Sequence, residues 1–486
     1  MTADYSGLAG AVLPEAALTL GALIVLGVDL VFLRRQSLAI RLRFAVAAAA
    51  LAVVAAIALT LKGGAPGEVF GGVLIFDSLA MAVRLGVLTL VLLVLGISLG
   101  APRPRRPAEY VAIMLFAAVG FNLMAAAQQL LLAFLALELA SLSLYVLAGF
   151  DKSRPESVEA ALKYFLFGGV SAAFLLFGFS LIYGLTGSIN LPQIAASLAQ
   201  QGLTPLLAVA LVMVLVAFGF KAAAAPFHLW APDAYQGAPA PSAALIASAS
   251  KLAGLALFVR LLWPGFHAVA GNIAVVSGGG WLPVVAILAG ASLLLGNIGA
   301  LAQTNVRRLL AYSAIAHAGA LLLGVIAFGV AGPAPLFYYA MTYGVATAGA
   351  FGVIAVLERA GGCDKITDLA GLHRRSPFLA ACLAVFILSL AGIPPLAGFF
   401  GKLAVFAAAL QLGAGGPAGW LTFAAIFLSA VALYYYLVIL KQAWVAPPAE
   451  KTGPVAIPLV TAFTFLAAAA IIVLAGLWPS FLLDFF

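Results

Sequence analysis

The sequence predicts an all-α polytopic membrane protein of about fourteen transmembrane helices, two of them broken near their middles. Three observations carry this. Of 486 residues, 65% are hydrophobic and only 8% charged, where a soluble domain carries roughly 25% charged residues. The apolar residues gather in stretches of roughly twenty, enough to cross a ~30 Å hydrocarbon core. Prolines fall inside two of the longest stretches, at Pro226 and at Pro394-Pro395, where they remove a backbone donor that a helix needs.

The predicted spans centre, in order, on Leu23, Ala52, Leu88, Leu115, Ala140, Leu175 and Val216. The second set centres on Ala253, Leu293, Ala318, Val345, Ile393, Val431 and Ala468. Spans seven and twelve are too long for straight helices, as broken crossings would be. The stretch from Asn190 to Gln201 is too short to cross and is expected at the surface. The first apolar stretch lacks a basic leader and exceeds a signal core, so it is expected to stay as span one.

Loop charges orient the chain. Arg34, Arg35, Arg41 and Arg43 follow span one, and Arg103, Arg105 and Arg106 follow span three. Lys152, Arg154, Arg307, Arg308, Arg359, Lys365, Arg374, Arg375, Lys441 and Lys451 continue the same parity, whereas loops after even-numbered spans carry only Lys62. The positive-inside rule then puts the odd-to-even loops in the cytoplasm and both termini outside. The net charge of +8 therefore reflects topology, and a nucleic-acid partner is excluded. Cys363 and Cys382 are too few to hold an iron–sulfur cluster or zinc, so no metal is expected. Cys363, in the loop after span eleven, is expected to react with thiol reagents from the cytoplasmic face.

The chain divides into an N-terminal set of three helices (1–106), a first five-helix repeat (107–264), an inverted second repeat (265–443) and a last helix (444–486). Five is odd, so consecutive repeats would have opposite topology. Lys221 precedes the break in span seven and Lys402 follows the one in span twelve, the order inversion requires.

Ionisable residues stand inside these spans: Glu138, Lys163, Lys221, Lys251 and Lys402. A charge at bilayer depth costs at least ~2.5–3.5 kcal/mol, so such residues face a protein interior and usually serve a pathway. Burial disfavours the charge on Lys221 and a nearby carboxylate restores it, so a Glu138–Lys221 pair could switch proton affinity as its spacing changes. Lys251 lies near the midplane of span eight among small residues that leave room for water. Lys163 is closer to a membrane face and could instead snorkel. His228 and His317 are either proton carriers or helix–helix hydrogen-bonding groups, and Glu138 could serve as a neutral structural acid. Arg260 reads as an anchor, and Asp77 and Arg84 as residues that each pair with other helices.

These residues lie in motifs that resemble a known family. LELASLSLYVLAGF holds Glu138, EAALKYFLFGGVSAAFLLFGFSLIYG holds Lys163, and FGFKAAAAPFHLWAPDAYQGAP holds Lys221. NVRRLLAYSAIAHAG holds His317, and AGIPPLAGFFGK holds Lys402. They resemble the antiporter-like membrane subunits of proton-pumping NADH–quinone oxidoreductase (respiratory complex I), most closely its subunit N branch. Lysine rather than glutamate at position 402 argues against the M branch, and the lack of a long amphipathic C-terminal extension against the L branch.

The resemblance implies fourteen helices in two inverted repeats with helices seven and twelve broken. It implies proton translocation through Glu138, Lys221, Lys251 and Lys402, with quinone reduction occurring in partner subunits. No cofactor is expected on this chain; flavin, iron–sulfur clusters and quinone would belong to the partners. Those partners are the sister antiporter-like subunits and the small membrane subunits of complex I, with lipids around them. The location implied is a bacterial inner membrane, with both termini periplasmic. Mrp-type cation/proton antiporters and membrane-bound hydrogenases share the superfamily and supply the alternative reading.

Overall fold

The computed structural model describes residues 10–63, 67–273, 279–448 and 453–484. Spans one to six are Leu13–Leu33, Leu38–Leu61, Ser78–Ser98, Pro107–Ala126, Leu130–Ala148 and Pro155–Thr186. Span seven begins with Pro205–Ala222, and spans eight to eleven are Ala240–Gly265, Trp281–Leu301, Val306–Ala331 and Ala334–Ala360. Pro417–Trp444 and Leu459–Leu477 are spans thirteen and fourteen. Among the described residues these are thirteen helices long and apolar enough to cross a membrane; two shorter apolar helices, Pro377–Ala391 and Ala397–Leu410, form a broken twelfth span. Each predicted centre falls within its span, Ile393 in the break itself.

The breaks are built alike. The first half of span seven ends with Ala223 in the left-handed region, and the first half of span twelve ends with Gly392 there. Both turns bond back into their own helix: Ala224 N–H to the Gly219 carbonyl, and Ile393 N–H to that of Leu388. Span seven then resumes as a short helix, Trp230–Gly237. Span eight holds an irregularity that the sequence did not announce. Its helix is interrupted at Ser248, whose hydroxyl bonds the Ala244 carbonyl four residues back, a competition that bends helices.

Burial grades from centre to rim. Span eight is wholly buried and span eleven nearly so, while spans one, two, six, thirteen and fourteen turn most of their surface outward. That outward face is apolar, with Leu51 and Phe427 about 70% exposed, as lipid or partner helices require. Close approach in the interior depends on small residues. Spans nine and ten pack so tightly that a Cβ at Gly319 would lie 2.7 Å from the Ala289 carbonyl oxygen.

Other elements lie outside the spans. Leu191–Gln201 is an amphipathic helix with Leu191, Ile194 and Leu198 buried, the surface element expected there. A small hairpin, β1 (Gly67–Val69) and β2 (Leu74–Phe76), pairs antiparallel in the register Gly67↔Phe76. It is fastened to the start of span five by Gln128, whose N–H donates to the Val73 carbonyl and whose side chain donates to Glu68.

Ion pairs tie the spans together. Asp77 caps span three and pairs with Arg260 of span eight, while Arg84 pairs with Glu15 of span one. The expectation that Asp77 and Arg84 serve separate partners is met. Arg307, completely buried, pairs with Glu358, which also accepts from Arg154.

Candidate functional site

The row of buried cations begins beside Glu138. Lys221 stands in the last turn of the first half of span seven, nearly inaccessible, and donates to the Ser141 hydroxyl at 3.3 Å. Ser141 lies three residues beyond Glu138, on the same face of span five. Glu138 is only half-buried, and among the described residues its Oε1 has no hydrogen-bond partner. The structure thus brings the acid and the lysine into one neighbourhood without a direct ion pair; the serine holds the ammonium instead. Glu138 stands among the outward-facing Leu135, Leu139 and Leu142, so one edge of the site opens on the lateral surface.

Lys221 and Lys251 meet through a glycine. A Cβ at Gly254 would lie 3.1 Å from Cγ of Lys221, and Gly254 is three residues beyond Lys251 on span eight. Lys251, 4% exposed, sits just past the irregularity at Ser248. Its ammonium donates to the Ala314 carbonyl of span ten at 2.7 Å and lies over the ring of Tyr343, 5.1 Å from its centroid. A carbonyl and an aromatic face both favour a cation where water is excluded.

Three residues beyond Ala314 is His317. Its Nδ1 shares a 2.6 Å hydrogen bond with the Tyr339 hydroxyl, and its Nε2 a 3.0 Å bond with that of Tyr436. The Tyr436 hydroxyl also bonds Ser313. Both ring nitrogens are engaged with groups that donate and accept, so the imidazole is held inside a continuous polar chain. Tyr339 packs on Gly401, where a Cβ would lie 2.7 Å from Cδ2 of its ring. The next residue, Lys402, is the end of the row.

Lys402 is buried and donates to the Ala391 carbonyl at 3.0 Å. That carbonyl belongs to the last turn of the first half of span twelve, the negative end of a half-helix. Gly392 makes space for the side chain: a Cβ there would lie 3.3 Å from Nζ. The lysine thus takes up a carbonyl freed at the break.

Two candidates stand apart from the row. Lys163 is 39% exposed in its side chain and pairs with Glu159 and, at 2.6 Å, with Asp233. Asp233 also accepts from Arg308, so Lys163 belongs to an ion-pair cluster joining span six, the second half of span seven and span ten. His228 lies in the break after Pro226, buried, with Nδ1 unpartnered among the described residues. The freed backbone nearby is satisfied by others: Trp230 Nε1 donates to the Phe220 carbonyl, and Ala225 N–H to the Ser292 hydroxyl.

Sequence reading missed Ser141, Tyr339, Tyr343, Tyr436 and Asp233. A signal was available for the tyrosines, since Tyr339 and Tyr343 recur at a four-residue spacing on one helix face. Among the described residues no cluster of three metal-ligating side chains occurs.

Comparison with known proteins places the chain in a family. Residues 127–433 match the family described as the transmembrane part of NADH:quinone oxidoreductase/Mrp antiporter proteins. "NADH-quinone oxidoreductase subunit N 2" of Acidobacterium capsulatum is 49% identical over 490 aligned positions, covering 99% of this chain and 98% of that protein. A chain of respiratory complex I from Thermus thermophilus, solved with bound aureothin, superposes with a TM-score of 0.81 at 35% identity, over 97% of this chain and 99% of that one. A chain of the Mrp complex from Dietzia shares the fold, with a TM-score of 0.81 over 97% of this chain and 96% of that one at 23% identity. This multi-pass chain belongs to the NADH:quinone oxidoreductase/Mrp antiporter membrane family, within its NADH–quinone oxidoreductase subunit N branch.

Proposed function

We propose that this chain is a proton-translocating membrane subunit of a bacterial NADH–quinone oxidoreductase, performing no redox step itself. The observation that carries the reading is the row of three buried lysines, Lys221, Lys251 and Lys402, each held by a neutral acceptor rather than a carboxylate. A lysine fixed by a full ion pair keeps its proton, whereas one held by a hydroxyl or carbonyl gives it up when its surroundings shift. Glu138 supplies the movable negative charge at one end. Redox energy released in partner subunits drives charge and hydration changes along the row, and flavin, iron–sulfur clusters and quinone reside in those partners.

The same reading sets spans four to eight and nine to thirteen as two inverted repeats, with both termini periplasmic in the inner membrane. The opposite order of lysine and break in spans seven and twelve supports the inversion, and the alternating loop charges support the sidedness. His317, with Tyr339 and Tyr436, fills the interval between Lys251 and Lys402.

The test is twofold. Mild-detergent purification should recover flavin- and iron–sulfur-containing partners; recovery of partners without redox groups would select a cation/proton antiporter instead. Membranes with assembled Lys221→Ala complex should reduce quinone with most proton pumping lost. Wild-type pumping per quinone in that variant would overturn the relay.

A further inference from the structure

We propose that a basic cavity beside spans three, four and five binds an anionic phospholipid, its headgroup phosphate on the 103–106 arginines and an acyl chain along the seam between spans four and five. The cavity has a volume of about 610 Å³ and takes its walls from the 99–106 loop, the 149–154 loop and the start of span eight. Its cations are Arg103, Arg105, Arg106, Lys152 and Arg154, and its carboxylates Glu109, Asp151 and Glu358. Five against three leaves a surplus of two positive charges.

The pairing inside makes that surplus available. Glu358 is taken by Arg154 and Arg307, and Asp151 accepts from Ser153. Arg154 is therefore a structural member of the wall. Arg103, Arg105 and Arg106 are exposed, and no ion pair engages them among the described residues. Prolines at 102, 104 and 107 are interspersed with them, restricting the backbone from which the three guanidiniums project. Guanidinium forks match phosphate oxygens in pairs, better than point-charge ammoniums do.

Position and shape favour a lipid over free phosphate. Span three ends at Ser98 and span four starts at Pro107, so the arginines stand where phospholipid headgroups lie. Ile113 and Val146 line the same cavity, Ile113 lying ~10 Å deeper along span four than the loop. Val146 is 53% exposed on the lateral surface, so the apolar part of the cavity opens toward lipid. An acyl chain needs such a wall and a free anion does not. Basic pockets between membrane helices at a cytoplasmic face suit anionic headgroups.

The experiment uses the complete complex in vesicles of phosphatidylcholine doped with phosphatidylglycerol bearing a photoreactive acyl chain, with crosslinks mapped by peptide mass spectrometry. The wild type should crosslink within residues 109–117 and 142–150, and phosphatidylcholine bearing the same group should not. Removing the arginines in an Arg103→Gln/Arg105→Gln/Arg106→Gln variant should weaken labelling by about fivefold per arginine, with quinone reduction retained. Ile113→Trp, which keeps every charge but fills the seam, should also lose the crosslink. Equal labelling by phosphatidylcholine, unchanged labelling in the triple variant, or a partner-subunit peptide crosslinked in the cavity would each overturn the assignment. Displacement by inorganic phosphate with no effect of Ile113→Trp would assign the site to free phosphate and overturn it as well.

Discussion

Lys221 is tethered to Ser141 and not to Glu138, although the serine and the acid lie one turn apart on span five. The tether holds the ammonium near the carboxylate without neutralising either group. A hydrogen bond to a charged group contributes ~1.5–3 kcal/mol, enough to shift the balance between two lysine positions by an order of magnitude or more. Ser141→Ala is therefore expected to reduce pumping severalfold in assembled complex, less than Lys221→Ala or Glu138→Ala and comparably to Glu138→Asp. The proton-to-quinone ratio in native membranes measures this, and an unchanged ratio removes Ser141 from the cycle.

His317 joins Tyr339 and Tyr436 at the interval between the second and third lysines. His317→Phe fills the same space but strips both hydroxyls of a partner, costing ~1–3 kcal/mol for each one left unsatisfied. If the imidazole carries protons, pumping falls while quinone reduction continues. A lower denaturation temperature with the wild-type proton-to-quinone ratio would assign it to packing alone.

The spans, their order and the two breaks were legible because each rests on a local signal: about twenty apolar residues, or a proline within a longer run. The lysines were legible as isolated charges in apolar sequence. Their acceptors were not. Ser141, the Ala314 carbonyl and the Ala391 carbonyl become partners only when spans five and seven, eight and ten, and the two halves of span twelve come together. Lys163 was set apart only by its depth, and its ion pair was not legible because Asp233, seventy positions away, leaves no mark near it. The interruption at Ser248 carries neither proline nor glycine, and the 67–76 hairpin is too short to show a strand period.

Glu15 escaped notice for a related reason: an acid in the first turn of a helix is ordinary. Here it is 5% exposed and pairs at 2.7 Å with Arg84, 4% exposed. Removing one member of a buried pair costs ~3–5 kcal/mol because the other charge is stranded. Glu15→Gln should lower the thermal midpoint of the complex clearly. Glu15→Leu/Arg84→Met should recover most of that loss, and failure to recover would show that Arg84 has a role beyond its partner.

Cys363 was expected to report sidedness, but it is buried, and burial pushes its thiol up to about 12. The thiolate is the reactive form, so at pH 8 only about one molecule in ten thousand is competent. Labelling of native protein should be slow from either face and rise only toward strongly alkaline pH or on denaturation. Asp364 next to it is exposed. In a Cys363→Ser background, Asp364→Cys should react with an impermeant thiol reagent from the cytoplasmic face alone. Rapid labelling in intact cells would invert the orientation or change the span count by one.

Lys402 couples charge to the break in span twelve most directly, since its ammonium closes the last turn of the first half through the Ala391 carbonyl. While protonated it ties the two half-helices through a charge-assisted bond; a neutral amine would still donate to that carbonyl, but without the charge the tie would weaken and the halves would be freer to shift. Lys402→Arg separates charge from proton release. A guanidinium stays protonated at any working pH, so the tie persists, but the site can no longer empty. Gly392 leaves room for the side chain, since a Cβ there would come within 3.1 Å of Cδ of Lys402, and the bulkier head needs only a small local adjustment. Lys402→Arg should therefore assemble and reduce quinone yet lose most pumping. Lys402→Gln, neutral but still able to donate, should lose pumping as well. Wild-type pumping in the arginine variant alone would mean that a fixed positive charge suffices at this position and that Lys402 never releases its proton.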